Sequence, residues 1–200
     1  MPHLSHNHHH ASTQTKIRRH IPAQDNALWH TAANLAAGGG SSYDPLGDVH
    51  DVIQASMGWH DIHLHSFVTS DGEEFSRSFA DVELEAGVRD ETRTPLRRVL
   101  PRAGAWIRYV YDYGDDWEHK VLLEKILRAN PLAVYPRLTA GRRACPPEDC
   151  GGAYGYARWI SQISDEDMVN DGLIPANFDP GEFDLLEFNQ RLSSWVPMRK

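Results

Sequence analysis

The chain has 200 residues, of which 40% are hydrophobic, and its formal net charge is −8 at pH 7. This length predicts a single domain, which buries roughly 70% of the surface of its unfolded chain and needs no disulfide or metal for stability. Apolar runs are only a few residues long, which excludes a membrane span, and the acidic excess disfavours bulk binding to nucleic acid. The first residues lack the apolar core of a signal peptide, so we expect a cytoplasmic protein with reduced cysteines.

Residues 1–43 differ in composition from the rest of the chain. They hold three basic residues and one acidic residue, whereas the remaining residues carry 17 basic and 27 acidic groups. Seven of the twelve histidines lie before residue 31, in a tract typical of a fortuitous metal binder, and a run of Ala, Gly and Ser follows at residues 36–42. No apolar periodicity is present. We therefore expect residues 1–43 to be a disordered or non-native leader and residues 44–200 to form the domain.

A helix is predicted at the start of that domain. Asp44 is typical of an N-cap and Pro45 of a first helical position, and apolar residues then recur at helical spacing until Gly58. His50 lies beside this apolar stripe. Its position is compatible with a histidine at the boundary of the core or with a catalytic role.

The remaining elements indicate an α+β fold. Period-two alternation on either side of turn residues predicts two hairpins, at residues 62–79 and 106–127. A helical turn is expected at residues 95–100, and helices are expected at residues 154–163 and from Asp179 onward. The order predicts an antiparallel-rich sheet of hairpins covered by an N-terminal helix and C-terminal helices.

His63 and His65 are the first candidate site residues. Their alternate spacing on a predicted strand points both imidazoles to one face. Two nitrogen ligands are too few for a closed zinc site. The pair is therefore a weak metal-site candidate, and we favour two side chains on a solvated strand face as its explanation.

A second cluster surrounds the turn of the second hairpin. Asp112, Asp115 and His119 are potential ligands of a divalent ion, and Asp112 is also placed to orient His119 as a general base. Because Asp and Gly are what a hairpin turn requires in any protein, an ordinary turn remains an equal alternative.

The third cluster is a proline-stiffened loop. Cys145 and Cys150 supply half of a zinc site at most, with Glu148 and Asp149 as further candidate catalytic carboxylates between them. Packed free thiols or a redox-sensitive pair are the alternatives, and we favour them over zinc.

An anion nest is a further interpretation of the sequence that follows this loop. Gly151 and Gly152 precede a predicted helix, and Arg142 and Arg143 lie nearby. Two glycines alone are weak evidence for such a nest.

Taken in order, the motifs resemble the plasmid pRiA4b ORF-3-like family. They are LGDVHDVIQASMGW at 46–59, HLHSF at 63–67, YDYGDDWEH at 111–119, YPR at 135–137 and RACPPEDCGG at 143–152. The resemblance covers residues 46–192 and implies an α+β domain found in bacteria and archaea, often on plasmids or with insertion-sequence elements. It implies no established activity. It also implies a strand with an Ile-Trp-Arg-Arg-like motif shortly before the first helix. Residues 16–23 are the nearest match and lie too early, so we expect the sheet to lack that strand.

Two functions follow from these observations. We favour a non-enzymatic accessory or interaction domain associated with a mobile element, with an unidentified protein partner. The alternative is a metal-dependent hydrolase or nuclease-like enzyme. Its ligands would come from the three clusters: His63, His65, Asp112, Asp115, His119, Glu148 and Asp149. A divalent cofactor is compatible with the sequence but is not favoured.

Overall fold

The computed structural model describes residues 13–20, 30–36, 45–78, 83–128, 130, 132–162 and 178–194. Within these ranges the strands are β1 (Thr13–His20), β2 (His30–Ala36), β3 (His65–Val68), β4 (Glu74–Ser76), β5 (Arg89–Asp90), β6 (Trp106–Tyr111), β7 (Trp117–Arg128) and β8 (Arg137–Arg142). The α-helices are α1 (Gly47–Met57), α2 (Leu96–Val99), α3 (Gly152–Ser161) and α4 (Leu185–Ser194), and a 3₁₀ turn spans Glu91–Arg93. No helix in these ranges is long and apolar enough to cross a bilayer.

The strands form one sheet in the order β5-β4-β3-β6-β7-β1-β2-β8. Neighbouring strands are antiparallel except β4 and β5, which are parallel. The core lies between this sheet and the helices: Ile53 of α1, Tyr156 of α3 and Leu192 of α4 join Phe67 and Tyr109 of the sheet in one buried cluster. The predicted α+β class, with an antiparallel-rich sheet covered by N-terminal and C-terminal helices, is confirmed.

Two parts of the predicted leader belong to the sheet. β1 pairs with β7, with Ile17 opposite Leu123, and β2 pairs with β8, with Thr31 opposite Gly141. Disorder is therefore the wrong expectation for residues 13–20 and 30–36, and no strand is missing between β7 and β8. The physical reason is that β7 is 12 residues long and its second edge needs a partner for its backbone groups, whatever side chains that partner carries. The rest of residues 1–43 lies outside the described residues.

Helix ends show where local signals were interpreted correctly and where they were not. α1 ends as predicted at Gly58, whose left-handed φ of 73° lets its N–H reach the Gln54 carbonyl. α4 does not begin at Asp179, because Asp179 forms a turn in which its carbonyl accepts from the Glu182 N–H. The N-cap of α4 is Asp184, whose Oδ1 accepts hydrogen bonds from two N–H groups in the first turn of the helix. An Asp-Pro-Gly-Glu sequence suits both a capping box and a β-turn.

One side chain of α4 is bonded to the backbone of the last strand. Asn189 Oδ1 accepts from the Leu138 N–H at 2.8 Å, and Asn189 Nδ2 donates to the Leu138 carbonyl at 3.1 Å. The residues just before α4 also pack on β8 through Phe183, because a Cβ added at Gly141 would lie 2.0 Å from that ring. These contacts fix the C-terminal helix to β8.

Candidate functional site

Three segments meet at the end of the sheet where β6 turns into β7. We call residues 60–64, 112–116 and 145–150 the acidic face, because together they contain six carboxylates and no Lys or Arg. The segments are joined by direct contacts: the Asp112 N–H donates to the Leu64 carbonyl at 2.9 Å, and His60 Nδ1 lies 2.8 Å from Glu148 Oε2. Asp112 follows β6 with a left-handed φ of 57°, which turns the chain sharply away from the strand.

The centre of the acidic face is a group of one imidazole and two carboxylates. His63 Nε2 lies 3.0 Å from Asp149 Oδ1 and 3.6 Å from Asp112 Oδ2. The three side chains are 27%, 64% and 11% exposed in that order, so the group opens to solvent on the Asp149 side. The Nε2 atom of His63 is itself shielded from solvent and makes no hydrogen bond of good geometry within the described residues.

A tyrosine positions the neighbouring carboxylate. The Tyr111 hydroxyl donates to Glu148 Oε1 at 2.5 Å and accepts from the Ile62 N–H at 3.2 Å. Burial, together with the hydrogen bond to Glu148 and its negative charge, raises the pKa of Tyr111, so the hydroxyl keeps its proton at neutral pH. Glu148 is therefore held beside the His63 group by a fixed donor.

The predicted anion nest is filled from within the protein. The Gly151 N–H donates to Asp115 Oδ2 at 3.0 Å, so this carboxylate occupies the position offered to an anion. Gly152 packs against the same turn so closely that an added Cβ would lie 2.1 Å from the Asp115 carbonyl oxygen. Asp115 thus connects the β6–β7 turn to the start of α3.

A second group of histidines and carboxylates lies between α1 and the sheet, and all of its members except Asp61 are buried. His50 and His65 are 0% and 1% exposed, and their rings stack with centroids 3.5 Å apart and planes 7° from parallel. His50 Nε2 lies 2.9 Å from Asp61 Oδ1, and His65 Nε2 lies 2.9 Å from Glu91 Oε2. Arg77 binds the other oxygen of Glu91 at 3.1 Å. Each buried imidazole therefore has its own carboxylate.

The charges in this group follow from burial and pairing. Desolvation lowers the pKa of His50 despite the opposing effect of its hydrogen bond to Asp61, so His50 is neutral at pH 7. Desolvation opposes ionisation of Glu91, but the hydrogen bond from His65 and the nearby positive charges lower its pKa overall. Glu91 is thus an ionised carboxylate inside the core, with Arg77 as its fixed counter-charge.

A closed ring of hydrogen bonds determines where the proton of His50 lies. The Asp61 N–H donates to Gln54 Oε1 at 3.1 Å, which fixes the amide so that Gln54 Nε2 donates to the Tyr109 hydroxyl at 3.0 Å. Tyr109 then directs its single hydroxyl hydrogen to His50 Nδ1, 2.9 Å away. His50 therefore carries its proton on Nε2 and donates it to Asp61, where the ring began.

The stacked histidines are poorly arranged to share a metal ion. Ligand atoms of His50, Asp61 and His65 lie within 4.8 Å of one another. However, an imidazole binds a metal in its ring plane at about 2.0–2.1 Å, and an ion midway between these parallel rings would lie roughly 1.7 Å outside each plane. We therefore assign this group a structural role.

The structure separates residues that the sequence had grouped. His63 and His65 do not form a same-face pair, because β3 begins only at His65: His65 enters the buried group, while His63 belongs to the acidic face. His119 is also away from the surface, since it is 1% exposed, its Nδ1 lies 3.1 Å from the Trp117 carbonyl, and its ring packs edge-on against Trp59. Asp112 faces His63 instead.

Cys145 and Cys150 are not joined by a disulfide, and neither belongs to the two ligand groups found among the described residues. Cys145 Sγ donates to the Ser56 carbonyl at 3.4 Å. Cys150 is buried, and burial together with the negative charge of Asp115 raises the pKa of its thiol to about 12. A thiol of that kind is protonated at neutral pH and is a poor nucleophile or metal ligand.

Fold and site together define an α+β protein whose solvent-facing histidine and carboxylate group lies at one end of an open sheet. The plasmid pRiA4b ORF-3-like family matches residues 42–189, and the chain belongs to that family. The chain is similar to the uncharacterized protein y4hQ of Sinorhizobium fredii, with 35% identity over 121 residues, which span 60% of each protein. It is also similar to the crystal structure of MM3350, a protein of unknown function from Methanosarcina mazei Go1, with a TM-score of 0.72 and 29% identity over 87% of this chain and 96% of that one.

Proposed function

We propose that this protein is a non-enzymatic interaction domain that binds a cationic, partly apolar segment of a partner protein on its acidic face. The observation that carries the proposal is the mixture of side chains there. Ile62, Leu64 and Tyr113 are 63%, 56% and 54% exposed, although all three are large and apolar or aromatic. They lie among the six carboxylates of the same three segments.

The physical argument combines burial and charge. Large apolar side chains that are exposed next to one another and rimmed by polar groups are typical of protein interaction sites. The Asp112 N–H donates to the Leu64 carbonyl, so the segment that carries Leu64 lies beside the segment that carries Tyr113. Six carboxylates in segments that contain no Lys or Arg attract a positively charged partner and repel the phosphates of nucleic acid. A segment with Lys or Arg beside Leu or Phe matches both features.

We place this domain among the accessory proteins of plasmids or insertion-sequence elements. The support is the family description, which refers to a plasmid open reading frame. In that setting the cationic partner would be another protein encoded by the element.

The proposal is tested with fluorescein-labelled synthetic peptides of matched length and the full-length protein. One peptide set combines Lys and Arg with Leu and Phe, a second replaces the basic residues by Glu, and a third replaces the apolar residues by Ser. Fluorescence anisotropy should show binding of the first set only. Replacing Leu64 and Tyr113 by Ser should weaken that binding at least tenfold, which corresponds to about 1.4 kcal/mol.

A matched control comes from the connection between β7 and β8. Leu132 and Val134 are 92% and 72% exposed, and replacing them by Ser removes apolar surface away from the acidic face. This control should bind as the parent does. The proposal is wrong if cationic apolar peptides do not bind, if the Glu-containing peptides bind equally well, or if the control loses as much affinity.

A metal-dependent hydrolase is the second candidate, and one observation favours it. His63, Asp112 and Asp149 meet where the surface is open, with Glu148 held next to them by Tyr111. Glu148 would then be the general base that takes a proton from a metal-bound water. Hydrolysis of model phosphodiesters in the presence of Mn²⁺ or Zn²⁺ should be abolished by Glu148→Gln in that case. Equal turnover by parent and variant would eliminate this candidate.

A further inference from the structure

We propose that His63, Asp112 and Asp149 bind one divalent transition-metal ion, of which Zn²⁺ is the best match. This inference goes beyond partner binding, because it concerns a property of the isolated protein. The three residues come from three different segments, the approach to β3, the turn after β6 and the cysteine loop, and their ligand atoms lie within 4.8 Å of one another.

The spacing of the ligand atoms is compatible with a tetrahedral metal site. Bonds of about 2.0–2.1 Å in a tetrahedral arrangement place neighbouring ligand atoms about 3.3 Å apart. The distances from His63 Nε2 are 3.0 Å to Asp149 and 3.6 Å to Asp112, one on each side of that value. Shifts of a few tenths of an ångström therefore bring both carboxylates to that distance from His63 Nε2, and the two carboxylate oxygens lie within 4.8 Å of each other.

The hydrogen bonds available to His63 also favour a cation at this position. A neutral imidazole has at most one proton on Nε2, so His63 satisfies at most one of the two carboxylates that face this atom. In the described structure Nε2 is shielded from solvent and makes a well-aligned hydrogen bond with neither. A cation in this position would use the nitrogen lone pair and both carboxylates at once.

The electrostatic surroundings favour a cation as well. The acidic face has six carboxylates and no Lys or Arg in its three segments, so no basic side chain in those segments competes for Asp112 or Asp149. Asp149 is 64% exposed, which leaves solvent access on one side of the group. Three protein ligands with one open position for water is the arrangement of reactive zinc sites, in contrast to closed structural sites.

The choice among metals follows from the donor set. One imidazole nitrogen and two carboxylate oxygens suit Zn²⁺ or Mn²⁺, whereas Ca²⁺ and Mg²⁺ prefer oxygen ligands alone. Cu⁺ prefers sulfur, and neither cysteine belongs to the group of ligand atoms formed by His63, Asp112 and Asp149. Zn²⁺ is therefore the probe for affinity, and Co²⁺ is its spectroscopic substitute.

The experiment uses the full-length chain, because β1 and β2 belong to the sheet and must be retained. The N-terminal histidines His3, His6, His8, His9 and His10 are replaced by Asn, since this tract would otherwise bind metal itself. Zn²⁺ binding to this reference chain is measured by isothermal titration calorimetry after removal of metals with EDTA. Co²⁺ binding is followed by visible absorption, which reports the coordination geometry and any thiolate ligand.

Three variants distinguish a site from general surface charge. Asp112→Asn and Asp149→Asn remove one ligand each, and Asn tolerates their left-handed φ values of 57° and 56°. The control is Asp116→Asn, which removes the same charge from the same face at a φ of 53°, and the Asp116 carboxylate is not one of the grouped ligands. Loss of an outer partner of a metal ligand costs 10- to 100-fold in affinity, so loss of a direct ligand is expected to cost at least about 100-fold.

The expected result is one Zn²⁺ per reference chain, with that loss in the two ligand variants and less than a threefold change in Asp116→Asn. Near-ultraviolet circular dichroism must match among the chains, and His63→Gln gives a third ligand variant if one of the Asp variants does not fold. The proposal is overturned if no stoichiometric ion binds, if all Asp variants weaken binding equally, or if Co²⁺ shows a thiolate charge-transfer band. Peptide binding by a chain that binds no metal would refute this site and leave the interaction domain intact.

Discussion

Replacing Tyr109 by Phe tests the closed ring of hydrogen bonds around His50. The substitution keeps the aromatic ring, which is fully buried in the core, and removes only the hydroxyl. Two buried groups then lose their partner: Gln54 Nε2 loses its acceptor and His50 Nδ1 loses its donor.

The expected cost follows from those two groups. A buried polar group left without a partner costs roughly 1–3 kcal/mol. The two losses together predict a decrease in the free energy of unfolding of about 2–4 kcal/mol, because the freed side chains compensate in part by shifting toward each other. That amount is a large share of the roughly 5–15 kcal/mol by which a domain is stable.

The assay is urea unfolding of the full-length chain near pH 7.5, followed by tryptophan fluorescence. Tyr154→Phe is the matched control, since it makes the same chemical change at a residue that is 84% exposed, and it should alter stability by less than about 0.5 kcal/mol. Nitrogen-15 NMR adds a direct test, because His50 should be protonated on Nε2 in the parent. A difference below about 1 kcal/mol between the two variants, or a proton on Nδ1 of His50, would show that the ring is wrongly assigned.

Three further outcomes are expected. Because burial lowers the pKa of His50 below 6.5, the unfolded chain binds more protons below that pH, and the free energy of unfolding should fall as the pH drops through about 6.5. Urea titrations at several pH values should show a smaller pH dependence for His50→Gln. Gly152→Ala places a Cβ 2.1 Å from a backbone oxygen at a φ of 65° and should lower the free energy of unfolding by about 2 kcal/mol or more. Gly72→Ala, with nothing within 4 Å, should lower it by about 1 kcal/mol through its positive φ alone, and equal shifts in melting temperature would contradict this. Cys145 and Cys150 should titrate as two free thiols after denaturation, with Cys150 protected in the native chain, and zinc lost on replacing both by Ser would contradict the assignment.

The elements that were predicted from the sequence are those with local causes. Strand alternation and turn residues specify both hairpins, and Gly58 marks the end of α1 because a left-handed residue is needed there. β1, β2 and β8 have no such local signal. Each forms because the edge of a strand far away in the sequence needs a hydrogen-bonding partner; β1, for example, pairs with β7. The sequence of a short segment does not contain that information.

The candidate site was predicted in part for the same reason. Asp112, Asp149 and His63 were identified as candidates from residue type, but their meeting depends on the cysteine loop folding over the β6–β7 turn. The buried group around His50 was missed, although Gln54 lies four residues later on the same face of α1 and gave a faint polar signal in an apolar stripe. Its partner Tyr109 is 59 positions away from His50 in the sequence.

The bond between Asn189 and Leu138 has a consequence for self-association. β8 is an outer strand of the sheet, and an outer strand offers unpaired N–H and C=O groups to any other extended chain. The Asn189 amide occupies both groups of Leu138, as the peptide unit of an added strand would, and α4 holds it there. At the opposite border β5 has only two residues, too few to template a further strand. As far as the structure describes them, both borders of the sheet are therefore poor templates for a strand from another molecule.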